Sequence, residues 1–281
     1  MVYIMLAASI ASMVMHNGLS NLVSKQYFAE QKGAVRFNLF MHGLCFVIFG
    51  MLTIRGGISL YTLALGLLFG IATALSSIFK MLALTVGPMH ITNLFITSSL
   101  VVPALSGVVL YREAFSPIKF LLIFLLLFFI YLSMGRKNDT KIHWKWFLYC
   151  TISFLCAGAI GVMQKIHQNS SHSGETAAFL ATAFLCSLLF SAFGARGAAT
   201  KQPPRFYGYA LICGVCVYAM NHINLILSGI LPSQLFFPLV NGSSIVLSSI
   251  VSVVVFKETL CNRQAIGLIG GIVTLILFCI F

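Results

Sequence analysis

A few ionisable and amide side chains stand inside long apolar runs of this chain, and they are its candidates for chemistry. Lys80 lies beside Ser76, Ser77, Phe79 and Met81. A charge inside a membrane helix is costly, so it is a functional candidate by default. Facing a cavity, its ammonium attracts a carboxylate or phosphate; the plainer alternative is a lysine that snorkels to the membrane surface. His16, Asn17, Ser20 and Asn21 form a second set, with positions 17, 20 and 21 on one helical face. Tyr218, Asn221, His222 and Asn224 form a third, in which Tyr218, Asn221 and Leu225 share a face. Thr97, and Asn241 just after Phe237-Pro238, add a hydroxyl and an amide next to a helix-bending proline. Gln164 follows the small-residue stretch Ala157-Gly158-Ala159-Ile160-Gly161, and Lys165 beside it reads as a helix end. Such groups bind a polar solute or, in the plain reading, bond neighbouring helices at about 0.6 to 2 kcal/mol each.

Composition sets the elements that position them. Hydrophobic residues make up 59% of the 281 positions and charged residues 8%, with a mean hydropathy of +1.01. A soluble domain is about a quarter charged. Such a chain is an all-α integral membrane protein, because lipid satisfies no open backbone groups and the apolar runs lack a strand's alternation. At roughly 20 residues per crossing, ten helices nearly exhaust the length and leave no soluble catalytic domain. Spans are expected near 2–24, 34–54, 59–85, 90–110, 116–134, 146–167, 176–195, 206–229, 233–255 and 263–281. The net charge of +12 reads as loops beside anionic lipid, not as a nucleic-acid surface. Basic residues gather after odd-numbered spans, as at Arg136, Lys137, Lys141 and Lys145, which places both termini outside by the positive-inside rule. The eight cysteines lie mostly in apolar runs, and the CxxC spacing of Cys213 and Cys216 reads as packing, not a metal site.

The chain is internally duplicated. Tyr111-Arg112-Glu113 and Phe256-Lys257-Glu258 interrupt apolar runs 145 positions apart. The same shift sets Asn221 on Ser76, His222 on Ser77 and Leu225 on Lys80, while a shift of 140 sets Lys165 on Lys25. The expected organisation is one five-helix unit over 1–138 and a second over 139–281. Five helices is an odd number, so the second copy enters the membrane inverted, an architecture that holds substrate between the halves near the midplane. The spacings Gly66/Gly70 and Gly267/Gly271 read as packing or dimer contacts.

Each half resembles the five-helix unit of the drug/metabolite transporter superfamily, EamA type, most strongly over Ala83–Met134 and Phe237–Phe281. Leu84-Thr85-Val86-Gly87-Pro88 resembles that family's turn between the third and fourth helices. Arg112-Glu113-Ala114-Phe115-Ser116-Pro117 and Lys257-Glu258-Thr259-Leu260 resemble the turns before its fifth and tenth helices. In both turns an aromatic–basic pair stands where the family carries Leu–Gly. The resemblance implies a ten-helix carrier whose cavity is walled mainly by helices 1, 3, 4, 6, 8 and 9, and whose cargo is a metabolite, sugar, nucleotide-sugar or drug. Fold-level analogy carries architecture better than substrate.

The expected function is alternating-access transport, in the export direction, of a small amino-acid-like or carboxylate solute. The substrate-binding candidates are Lys80, Asn221, Asn17, His16, Tyr218, Asn241, Thr97, Ser77, His222 and Gln164. None of Glu30, Glu113, Asp139, Glu175 and Glu258 lies in the centre of a span. The membrane-embedded glutamate by which small multidrug resistance relatives exchange protons for cations therefore has no counterpart. Rival readings are a carrier of a phosphate-bearing or lipid-linked sugar and a non-transporting membrane subunit. An enzyme is not expected, since no nucleophile–base set or HExxH pattern is present. No cofactor, metal or nucleic acid is expected. The partners are the small-molecule substrate and the lipid bilayer, the chain is a monomer or homodimer, and the compartment is the cytoplasmic membrane of a prokaryote.

Overall fold

The computed structural model describes residues 1–27, 31–54, 57–86, 92, 95–96, 98–114, 116–133, 144–194, 202–256 and 261–281. Among them are ten α-helices and no strand: α1 Val2–Tyr27, α2 Gln31–Thr53, α3 Leu60–Val86, α4 Val101–Tyr111, α5 Pro117–Ser133, α6 Trp144–Gln168, α7 Thr176–Gly194, α8 Pro204–Ile230, α9 Ser233–Phe256 and α10 Asn262–Ile280. Local chemistry explains several ends. Pro117 and Pro204 open α5 and α8, where a missing N–H costs nothing and a fixed φ suits the first turn. The Gln264 side chain accepts the Cys261 N–H at 2.9 Å and caps α10. α4 ends at Arg112, whose φ of 52° turns the chain sharply, and the Glu113 N–H then donates to the Gly107 carbonyl at 3.2 Å.

Six described segments are long and apolar enough to cross a membrane: Val2–Ser20, Val35–Thr53, Leu60–Lys80, Trp144–Gln168, Ser173–Gly194 and Pro204–Ile230. Their outward positions agree with that reading. Leu67, Leu68, Leu155, Leu189, Phe193 and Val215 are all exposed, as side chains that face lipid are expected to be.

The chain forms two compact units, each assembled from two segments: 1–74 with 166–229, and 75–165 with 230–281. Neither matches a sequence half of the expected repeat; each draws on both. In the first unit α7 is the central rod, with Ala178 through Ala183 and Phe184, Cys186 and Ser187 all buried. Helix α2 packs along it, with the Phe49 and Phe184 rings parallel at 5.8 Å. Helix α3 comes equally close: a Cβ at Gly66 would reach the Phe179 carbonyl and Thr182 at 2.9 Å. The expected packing role of the Gly66/Gly70 pair is therefore met inside the chain. Helix α8 is joined to α2 by the Cys45 thiol, which donates to the Gly214 carbonyl at 3.3 Å.

In the second unit α5 packs against α10, and α4 and α5 against α9. Leu126 of α5 fills the space left by Gly242 of α9. Helix α6 lies on α4 through Gly158 against Val102 and Gly161 against Pro103. The last part of α3 is tied to α6 by a serine pair, in which Ser153 Oγ donates to the Ser76 carbonyl at 3.0 Å. The Trp146 indole N–H donates to Thr92 Oγ1 at 2.8 Å beside buried Ala83 and Cys150.

Candidate functional site

In the first unit the structure brings five of the expected residues onto neighbouring stretches of two helices. Ser9 Oγ of α1 donates to Asn224 Oδ1 of α8, and the Ser20 hydroxyl hydrogen-bonds the Cys213 thiol. The helices therefore run antiparallel, and this register sets residues 16 and 17 against residues 216 and 217. His16 and Asn17 thus lie within about one turn of Tyr218 and Asn221 along the helix pair.

His16 is half-buried, with its Nε2 at 3.4 Å from Ser20 Oγ, and Asn17 is exposed. Tyr218, Asn221 and His222 are half-buried. The Asn221 amide nitrogen donates to the Val217 carbonyl of its own helix at 2.9 Å, which leaves its oxygen to accept from elsewhere. The Tyr218 and His222 rings lie parallel at 6.0 Å, and both meet Phe49 of α2, at 4.7 and 6.0 Å. The buried Nδ1 atoms of His222 and His42 find no hydrogen-bond partner among the described residues. The result is a patch of imidazole, amide and phenol groups on an aromatic floor. It suits a solute with both donors and acceptors. No group of three metal-ligating side chains occurs among the described residues, and Cys213 and Cys216 are buried free thiols.

Four further candidates, Ser77, Lys80, Gln164 and Asn241, lie in the second unit. Ser77 is half-buried on α3, and Lys80 one turn later is exposed at the last position of its apolar span. Gln164 is buried on α6, and the Asn241 amide donates to the Phe237 carbonyl one turn back, across Pro238, at 2.9 Å. No hydrogen bond or ion pair joins Lys80 to Gln164 or Asn241 among the described residues. Thr97 lies outside the described residues, as do Gly87-Pro88 and the second turn motif Lys257-Glu258-Thr259-Leu260.

The most strongly bonded polar group in this unit was not among the candidates. Lys165, expected at a helix end, is buried within α6, and its Nζ donates to Glu113 Oε1 at 2.7 Å. The same ammonium donates to the Leu231 carbonyl at 3.0 Å. Glu113 Oε2 accepts the Ser233 N–H at 2.8 Å, and Ser233 Oγ lies 3.3 Å from Oε1. Gln234 completes the joint, donating to the Ala114 carbonyl at 2.8 Å and accepting the Ser116 N–H at 3.3 Å. The interior is thus not free of carboxylates, because the turn at Arg112 aims Glu113 inward over Gly107. A Cβ at Gly107 would collide with that carboxylate and with Ser233. Local spacing does not reveal this pairing, since the partners are 52 positions apart. The only sequence sign is that a lone acid and a lone base each recur between the halves.

No family model and no curated protein matches the sequence. Among solved structures, one described only as "Crystal structure of protein" superposes with a TM-score of 0.79 at 13% identity, over 98% of this chain and 94% of that one. That likeness is one of fold.

Proposed function

We propose that this chain is a membrane carrier of the drug/metabolite transporter type. In this reading ten helices cross the membrane as two inverted five-helix repeats and export a small amino-acid-like or carboxylate solute by alternating access. The observation that carries the reading is the pairing of like-placed helices. The second helix of the first half packs on the second of the other half (α2 with α7), the fourth on the fourth (α4 with α9) and the fifth on the fifth (α5 with α10). A duplicated chain folded about a pseudo-two-fold axis sets helices near the axis against their own counterparts. The patch of amide, phenol and imidazole groups on α1 and α8 supports a polar cargo with both donors and acceptors. The membrane is the cytoplasmic membrane of a prokaryote.

The test is a thermal-shift screen of the detergent-purified protein against amino acids, dicarboxylates, sugars, nucleotides and quaternary amines. A ligand of the folded state raises the melting temperature with concentration, by about 2.7 kcal/mol of stabilisation at a hundredfold over its dissociation constant. The expected result is stabilisation by an amino acid or carboxylate, weakened in Asn221→Ala and His222→Ala. Stabilisation by quaternary amines alone would overturn the assignment of cargo.

A further inference from the structure

We propose that the Glu113–Lys165 ion pair is a latch, closed in this structure, whose opening is a step of the transport cycle. The inference rests on the carrier reading above but is carried by separate geometry. Three segments meet at the pair: the α4–α5 turn supplies Glu113, the end of α6 supplies Lys165, and the start of α9 supplies Ser233 with the Leu231 carbonyl just before it. The named partners are all polar and the site is largely shut off from solvent, with side chains 6% and 13% exposed.

A buried ion pair is a poor device for stability alone. Desolvation consumes most of its attraction, and well-packed apolar residues of similar volume do as well or better. The best-attested use of such a pair is to fix one arrangement of the chain against others. This pair is well placed for that. It ties together three segments distant in sequence, so it holds only in the arrangement that brings them together.

The geometry also makes the latch releasable. Arg112 holds a left-handed conformation that L side chains seldom adopt, so the turn presenting Glu113 is held in place by its surroundings. Every bond of the joint is polar, so water entering an opened joint replaces each one. A latch made of apolar packing has no such substitute.

Two measurements on the full-length protein test this. The first needs no ligand: hydrogen–deuterium exchange of the Ser233 amide, which Glu113 holds. A latch predicts measurable exchange in wild type within hours, and at least tenfold faster exchange in Glu113→Gln. Absence of exchange over a day in wild type would show a fixed brace and overturn the proposal, as would an unchanged rate in Glu113→Gln. The second uses Glu113→Cys/Lys165→Cys in proteoliposomes, with a mixture of radiolabelled L-amino acids as probe. Bridging the pair with a short thiol cross-linker stops uptake, and reductive cleavage restores it; uptake that persists in the bridged protein would overturn the latch. Should wild type take up none of the probe, the proposed function fails for that solute class, and the exchange measurement still decides the latch.

Discussion

Two glutamates, one in each compact unit, do the same local job in different surroundings. Glu113 accepts the backbone N–H of Ser233 at the start of α9, at 2.8 Å. Glu175, in the turn between α6 and α7, accepts the N–H of Ser59 just before α3, at 2.9 Å, and its hydroxyl at 2.7 Å. In both, a carboxylate from a short inter-helix turn binds the serine at the start of a distant helix, where orphan N–H groups and the helix dipole favour negative charge. The countercharges differ. Glu113 faces the buried Lys165, whereas Glu175 faces His172 at 3.1 Å, with side chains 22% and 38% exposed, and the His172 ring stacks on Tyr61 at 5.5 Å. One clasp is largely shut off from solvent, and the other is partly open to it. The same geometry thus recurs in two surroundings, and burial is what separates them.

The sharpest way to break this comparison is to remove one partner from each clasp. Lys165→Met leaves a buried carboxylate unpaired and is expected to cost about 3–5 kcal/mol, read as a large drop in melting temperature in detergent. Glu113→Gln/Lys165→Met is expected to recover most of that loss, because a neutral pair carries no desolvation penalty. His172→Ala is expected to shift melting far less. Equal effects at the two clasps would remove burial as the distinguishing cause.

A smaller contrast comes from the glycines beside each clasp. Gly107→Ala drives a methyl into Glu113 and Ser233 and is expected to cost about 1–3 kcal/mol as overpacking. Gly174→Ala, next to Glu175, meets nothing within 4 Å and is expected to leave melting unchanged. The smallest expected effect is that of salt. Raising ionic strength from 0.05 to about 1 M shortens the screening length to about 3 Å, so the difference between His172→Ala and wild type fades while that of Lys165→Met persists. Loss of both differences would place the Lys165 site in contact with solvent.

Much of the helical framework was legible because apolar runs end at proline, glycine and charge. The expected span 116–134 is α5 Pro117–Ser133, and 206–229 is α8 Pro204–Ile230. The polar candidates on α1 and α8 were legible for a similar reason: amides and imidazoles at helical spacing stand out against an apolar background. The clasps were not, because a lysine three residues before a helix end resembles one reaching for the membrane surface. What distinguishes Lys165 is a partner brought by a turn of the chain 52 positions earlier. One sequence sign was available for Glu175. Glu30 and Glu175 are 145 positions apart, as are Glu113 and Glu258, so four of the five acids recur at one spacing. Glu30 and Glu258 lie outside the described residues.

The central claim is that this chain moves a small polar solute across a membrane. Solute counterflow tests it most directly: proteoliposomes loaded with unlabelled amino acids and dicarboxylates are diluted into trace radiolabelled solute. The account predicts transient accumulation of label above its equilibrium level, absent from protein-free liposomes and weakened in Asn221→Ala. Folded, reconstituted protein that accumulates none of these solutes would contradict it.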